Sequence, residues 1–404
     1  MAAIPRVRAR SGPALLSYGF RPFFLLAGLQ ALWTVGLWTG FRLGLFAWPF
    51  DWPPVAWHAH ELLFGYGSAA LSGFLLTAIP NWTGRLPLSG RPLAGLAGSW
   101  VLGRLAVLAS HDLPAVLVAS VSLAFPAALL LATAREVLIG KNRPHYPVIG
   151  LLALLALAWL GFHLELAGGA PAPVSSHLGI AALLLQIGLV GGRILPSFTT
   201  NWLRRHRPEA ALPVPFDRFD KGALLLAAFA LALLVVRPIA GLPPALCGAA
   251  ALSAGFAHLF RLWRWRPFAA LSEPLLWSLH LGYFFLPAGF LAAGVGLLLD
   301  RSGLSAAATH LWTVGAIGGT TLAVMTRATR GHTGRALTAP PATALAYAAL
   351  AAAALLRAGA DLAPQLADLL VPSAGIAWLF AFAIFLRSCA PMLLGPRVQA
   401  GSPP

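Results

Sequence analysis

The sequence is short of charge. Only 10% of its 404 residues are Asp, Glu, Lys or Arg, against about 25% in an average soluble chain. A soluble fold wraps its core in a polar, charged shell, so this deficit excludes an ordinary soluble protein. Cysteine is nearly absent. Cys247 and Cys389 are the two in the chain, far apart and each inside an apolar run. That excludes a disulfide framework, a Cys-x-x-Cys redox motif and a Cys-His zinc finger, and both are expected to be packing residues without a disulfide. The Cys-x-x-Cys-His attachment motif is missing, so any heme is held noncovalently. No P-loop sequence exists, and no Ser-His-Asp arrangement follows from the spacing.

What the chain does have is apolar length. It is 58% hydrophobic, with a mean hydropathy of +0.77. About 20 apolar residues cross the hydrocarbon core of a bilayer. That ruler predicts twelve spans, at roughly 17–40, 54–80, 92–110, 113–135, 145–167, 175–198, 219–237, 242–263, 271–299, 304–328, 340–358 and 373–394. Pro and Gly punctuate the gaps, as in "PLSGRP", "GGAPAP" and "GLPP". The fold expected is all-α, a polytopic transmembrane helical bundle, with residues 1–404 as a single transmembrane domain. The longest polar segment, "NWLRRHRPEAALPVPFDRFDK", has the length of a loop with a short surface helix. The apolar stretch that follows Arg6, Arg8 and Arg10 lacks a suitably placed small-residue cleavage site. It reads as an uncleaved first span, with a short tail before it.

The net charge is +16. In a soluble protein this would suggest nucleic acid; here the distribution argues otherwise. With the N-terminus cytoplasmic, the inner segments carry Arg6, Arg8, Arg10, Arg85, Arg91, Arg135, Lys141, Arg143, Arg204, Arg205, Arg207, Arg218, Lys221, Arg261, Arg264, Arg266, Arg327, Arg330, Arg335 and Arg397. The outer segments carry Arg42, Arg237, Arg301 and Arg357. Such asymmetry is the positive-inside rule. It predicts both termini in the cytoplasm, the lipid bilayer as partner, and no nucleic acid.

Against this background the histidines stand out. "PPVAWHAHELLFGYGSAALSGFLLTAIPNW" reads as a span, yet His58, His60 and Glu61 lie at its start. A charged residue at the middle of a spanning helix costs about 2.5–3.5 kcal/mol on insertion scales, so a cluster of ionisable groups calls for a reason. His163 ends span five, His177 opens span six and His310 lies early in span ten, all in the same outer half. Imidazole is the commonest metal ligand and suits heme iron and copper. His58 and His60 are two apart, about 200° around a helix. They point to two sites on opposite sides, unless the helix is unwound after Pro53 and Pro54, when one site could take both. Glu61 is three residues from His58 and nearer its face, where it could orient His58 or relay protons. His280 lies mid-depth in span nine with Tyr283 one turn on, and His332 lies at the inner end of span ten. Candidate metal ligands are therefore His58, His60, His163, His280 and His310, with Glu61 and Tyr283 as candidate catalytic groups. Gly315, Gly318 and Gly319 would let a flat macrocycle or a neighbouring helix approach span ten.

A weak internal echo accompanies the histidines. Spans two, six and ten each open with His and close in a polar turn: "PNWTGR", "TTNWLRR" and "TRATRGHTGR". Three four-helix units are one reading; chance likeness among Gly- and Leu-rich helices is the other.

Several long motifs now carry a resemblance: "YGFRPFFLLAG", "WHAHELLFGYGSAALSGFLLTAIPNWTGR", "GRILPSFTTNWL", "LHLGYFFL" and "THLWTVGAIGGTTLAVMTRATRGHTGR". Together they resemble the NnrS family from span one to span ten. The resemblance implies a multi-pass protein of the bacterial inner membrane that contains heme b and copper. It also implies a role in nitric oxide metabolism or resistance, in bacteria that denitrify or meet nitrosative stress. Carried over by motif, as candidate ligands, are His58 and His60, His280, His310 and His332. A histidine on spans two and ten is also similar to the heme-copper oxidases and their nitric oxide reductase relatives, although span seven here has no histidine. The chemistry expected is reduction of nitric oxide to nitrous oxide with a quinol or other electron donor. Two rivals stay open: a noncatalytic heme protein for nitric oxide binding or electron transfer, and a twelve-span transporter.

Overall fold

The computed structural model describes residues 12–170 and 172–398; Arg6, Arg8 and Arg10 lie outside the described residues. Twelve helices follow one another without a strand among the described residues. They are α1 (Phe20–Arg42), α2 (Pro54–Thr83), α3 (Arg91–Leu108), α4 (Ala115–Ile139), α5 (Tyr146–Ala167) and α6 (Pro173–His206). Then come α7 (Arg218–Ala240), α8 (Pro244–Arg264), α9 (Pro274–Leu298), α10, which joins Ser302–His310, Leu311–Gly318 and Gly319–His332, α11 (Pro341–Leu362) and α12 (Ala367–Leu394). Ten of these are long and apolar enough to cross a membrane. The remaining two, α3 and α10, were expected as spans but are less apolar; α10 carries His310 and six threonines along its length.

Local chemistry sets the boundaries. Proline opens α2, α8, α9 and α11 at a position where its missing N–H costs nothing. Asp217 and Asp220 form a capping box at the start of α7. Arg21 is buried and donates to the carbonyls of Leu393 (2.9 Å) and Gly395 (2.6 Å), where α12 ends. The last carbonyls of a helix have no partner of their own, and a cation there also meets the negative end of the dipole. Both cysteines are buried and free, as expected.

Helices α2, α6 and α10 meet at the centre. The chain between α2 and α6 packs as α3–α4–α5, between α6 and α10 as α7–α8–α9, and α11–α12–α1 closes the ring. One central and three outer helices thus recur three times around the bundle. In α2 and α6, 78% and 67% of the most apolar stretch is buried, against 28% in α4 and in α7. Successive helices are joined by short loops, so alternate loops share an end. At one end Trp82 stacks on His145 and Arg264 pairs with Asp217, among the Arg-bearing loops. We call this the basic end. At the opposite end His310 meets Asp361, and Arg42 meets Asp368.

Two of the central helices change their winding beside a histidine. In α2 the segment Glu61–Gly67 is π-helical and follows His60; in α10 the segment Leu311–Gly318 is π-helical and follows His310. Wider turns leave carbonyls unpaired, and hydroxyls return to them. Ser68 donates to the carbonyls of Phe64 and Gly65, Trp100 donates to Gly65, and Thr320 and Thr321 donate to Ala316 and Ile317. Such π segments concentrate at functional sites.

Candidate metal centres

The histidines at the end opposite the basic one do not form one cluster. Among the described residues no three His, Cys, Asp or Glu side chains come together as a metal-binding group. The shared depth read from the sequence resolves into two compartments, one on either side of α2.

The first compartment contains His60 and His163, both buried, with ring centres 5.2 Å apart. Trp52 packs edge-on against both rings. His60 Nδ1 donates to Glu61 Oε1 at 2.9 Å. Glu61 also accepts from Arg104 Nη1 (2.6 Å) and from Gln30 Nε2 (2.7 Å). Arg104 reaches Ser122 and lies over the Trp159 ring. A carboxylate and a guanidinium this deep satisfy one another; alone, either would be very costly. With Nδ1 committed to Glu61, the lone pair of His60 falls on Nε2. That Nε2 has no hydrogen-bond partner, and neither does His163 Nε2. Buried polar atoms are almost always paired, so two unpaired imidazole nitrogens on adjacent rings fit a metal ion.

The sequence placed Glu61 nearer the face of His58. The structure pairs it with His60, because the π-helical turn begins at Glu61 and shifts the register there. Arg104 and Gln30 were missed. An arginine inside "SWVLGRLAVL" was the available signal for the first; the second is an ordinary polar residue until α1 packs on α2.

The second compartment is a cavity of about 320 Å³ between α1, α2, α6, α10, α11 and α12. His58 and His310 both line it, with Trp38, Tyr66, Arg357 and Trp378. His58 packs on Trp38, ring centres 4.4 Å apart and the rings tilted, and its Nδ1 is buried without a partner. His310 Nδ1 bonds Asp361 Oδ2 at 2.7 Å, and Asp361 also accepts from Arg357 at 2.9 Å. A carboxylate behind an imidazole fixes its tautomer and leaves the other nitrogen to ligate. Two imidazoles, aromatic walls and one arginine at the rim suit a flat, amphipathic, iron-bearing ring. Asp361 and Arg357 carried no signal in the sequence beyond their charge. His177 lines the same cavity, with Nδ1 bonded to Pro173 O at 2.6 Å.

The other candidates lie elsewhere. His280 Nε2 bonds Thr199 Oγ1 at 3.0 Å, with no second histidine beside it in these contacts. Its Nδ1 is buried and unpartnered. Tyr283 does not pair with His280. Its hydroxyl meets His258 Nδ1 (2.8 Å) and Arg261 Nη1 (2.9 Å), because α8 packs along α9 and turns both side chains inward. His258 Nε2 meets the Ala223 carbonyl, so Nδ1 accepts from Tyr283. Arg261 pairs with Asp220 at 2.5 Å, and its guanidinium occupies the space that a Cβ at Gly192 would need. This second ionic network lies towards the basic end, where Arg264 bonds Asp217 and holds that exposed carboxyl below the usual carboxylate range. His332 is exposed at the basic end and packs on Tyr18 and Phe20. The glycines of α10 are also spoken for: Gly315 faces Phe285, Gly318 faces Trp378 and Gly319 faces Gly282. They admit aromatic side chains and α9, not a macrocycle.

A ring of largely apolar helices around three central ones, with imidazoles and ion pairs buried between them, defines a multi-pass helical membrane protein. The chain belongs to the NnrS family: the family model described as NnrS protein matches residues 14–397. Comparison with curated proteins gives no match.

Proposed function

We propose that this protein is a heme- and copper-containing protein of the bacterial inner membrane that acts in nitric oxide metabolism or resistance, with its basic end in the cytoplasm. The observation that carries the reading is the division of unpartnered imidazoles between two compartments flanking α2, in a chain of the NnrS family. His58 and His310 would hold a b-type heme, with Arg357 as counter-charge for a propionate. His60 and His163 would hold copper, oriented through Glu61.

The residues themselves supply three things. Asp361 fixes the tautomer of His310, and Glu61 fixes that of His60. Trp52 packs against both rings of the first compartment, where His60 and His163 are buried. Glu61 and Arg104 keep a charge pair one residue from His60, placed to hold or pass a proton. When bound, heme and copper would supply reversible one-electron chemistry and affinity for nitric oxide. The net reaction that fits is two nitric oxide, two electrons and two protons to nitrous oxide and water, with a quinol or similar donor.

A second reading is electron transfer or nitric oxide binding without turnover. It is favoured by His58 and His310 lining one cavity from different helices, since nitric oxide would then have to displace one imidazole to reach the iron. The test is an optical spectrum and metal analysis of the purified protein and of four variants. His58→Ala and His310→Ala should lose the same heme signal, and His60→Ala and His163→Ala should lose copper with the heme retained. Full heme and metal content in all four would show these histidines to be structural. Nitric oxide consumption with a quinol or dye donor separates the two readings.

A further inference from the structure

A second cavity, of about 80 Å³, lies deeper in the bundle, between α2, α6, α9 and α10. It is continuous in register with the cavity that His58 and His310 line. On α2 the wall passes from Tyr66 to Gly67 and Ala70; on α6 it passes from Ile180 to Leu183; on α10 it passes through Ile317. Ile317 is the one residue that lines both. The two spaces therefore lie end to end along the same three central helices and meet at Ile317.

The chemistry of the deeper wall is apolar in a specific way. Four residues on it have polar side-chain atoms besides the Met325 sulfur, and three are already committed. Thr320 donates to Ala316 O, Thr321 is bonded to Ile317 O and to Tyr66, and the Tyr283 hydroxyl is held by His258 and Arg261. Gln186 donates to Val148 O, and its Oε1 alone is unpartnered. A water molecule needs two to four polar partners and about 10–15 Å³ of such volume. The space suffices for several waters, and the partners do not suffice for one. A cavity of that kind stays dry and takes small apolar molecules.

We infer that this chamber docks small uncharged gas molecules and passes them by Ile317 into the histidine-lined cavity. The identity of the gas as nitric oxide rests on the function proposed above; the docking itself rests on the wall. Xenon is the probe, applied under pressure to crystals of the full-length protein. Xenon should occupy the chamber in the parent and be absent from Ala70→Leu, whose longer side chain fills the space. Gly191→Ala provides a milder filler that the fold accommodates, since its Cβ meets the Tyr283 ring at an ordinary 3.5 Å. It should lower xenon occupancy without changing the unfolding midpoint. Ile317→Phe should slow nitric oxide association with the heme by about tenfold, while the heme spectrum stays that of the parent. Ordered water in the chamber, or xenon absent from the parent, overturns the docking. An unchanged association rate in Ile317→Phe overturns the passage. A protein that purifies without heme defeats the proposed function, while the xenon result still decides the chamber.

Discussion

The Glu61–Arg104 pair offers the sharpest separation of folding from metal binding. Both side chains are almost fully buried, at 1% and 6% exposure. Arg104→Met removes the counter-charge and leaves a buried carboxylate with the Gln30 amide and His60 as its donors. Breaking a buried pair in this way costs roughly 3–5 kcal/mol. At about 1.4 kcal/mol per decade, that is roughly two to four orders of magnitude in the folded-to-unfolded ratio. Replacing both partners, in Glu61→Leu with Arg104→Met, removes the stranded charge as well. Such apolar replacements are commonly neutral or stabilising, and Gln30 keeps Thr34 as an acceptor at 2.9 Å. The double variant should therefore recover most of the loss. It should not recover copper, because His60 has lost the carboxylate that orients it, and loss of such a partner typically costs about 10–100-fold in metal affinity. The assay is equilibrium unfolding of the purified protein by SDS titration in mixed micelles, alongside copper competition against a chelator of known affinity. The reasoning fails if Arg104→Met unfolds within about 1 kcal/mol of the parent, or if the double variant binds copper as tightly as the parent.

Other consequences are as direct. Asp361→Asn weakens the support behind His310 and should raise the heme dissociation rate about 10–100-fold, on the scale of other supporting carboxylates; heme transfer to an apo-acceptor protein measures it. His280→Ala removes a side chain whose one hydrogen bond is to Thr199, and the purified variant should keep both heme and copper; loss of either would return His280 to the ligand set. Reporter fusions after Lys141 and Arg335 should read cytoplasmic and a fusion after Asp300 periplasmic, following the Arg and Lys asymmetry. Inversion of all three would reverse the orientation of the whole bundle.

What the sequence determined by itself is whatever depends on composition and spacing. Apolar runs of about 20 residues predict spanning helices whatever their neighbours, because an unsatisfied backbone cannot enter hydrocarbon. Hence α1, α2 and α4 begin and end within a few residues of the expected bounds. The two-residue spacing of His58 and His60 likewise placed their rings on opposite sides of α2, and the family was legible in the long motifs. Packing decided the rest. The sequence ranked Glu61 with His58, and a π-helical turn, which periodicity cannot reveal, gave it to His60. Tyr283 was read beside His280 because both share a helix; a different helix, α8, supplied its partners. Arg104, Asp361 and Arg357 looked like ordinary charges, since nothing local says which helix will face them. Buried charge must be matched across helices, and the match is made between residues tens to hundreds of positions apart. The histidines could be seen in the sequence, and the carboxylates and guanidinium groups that set their roles could be assigned only once the helices had met.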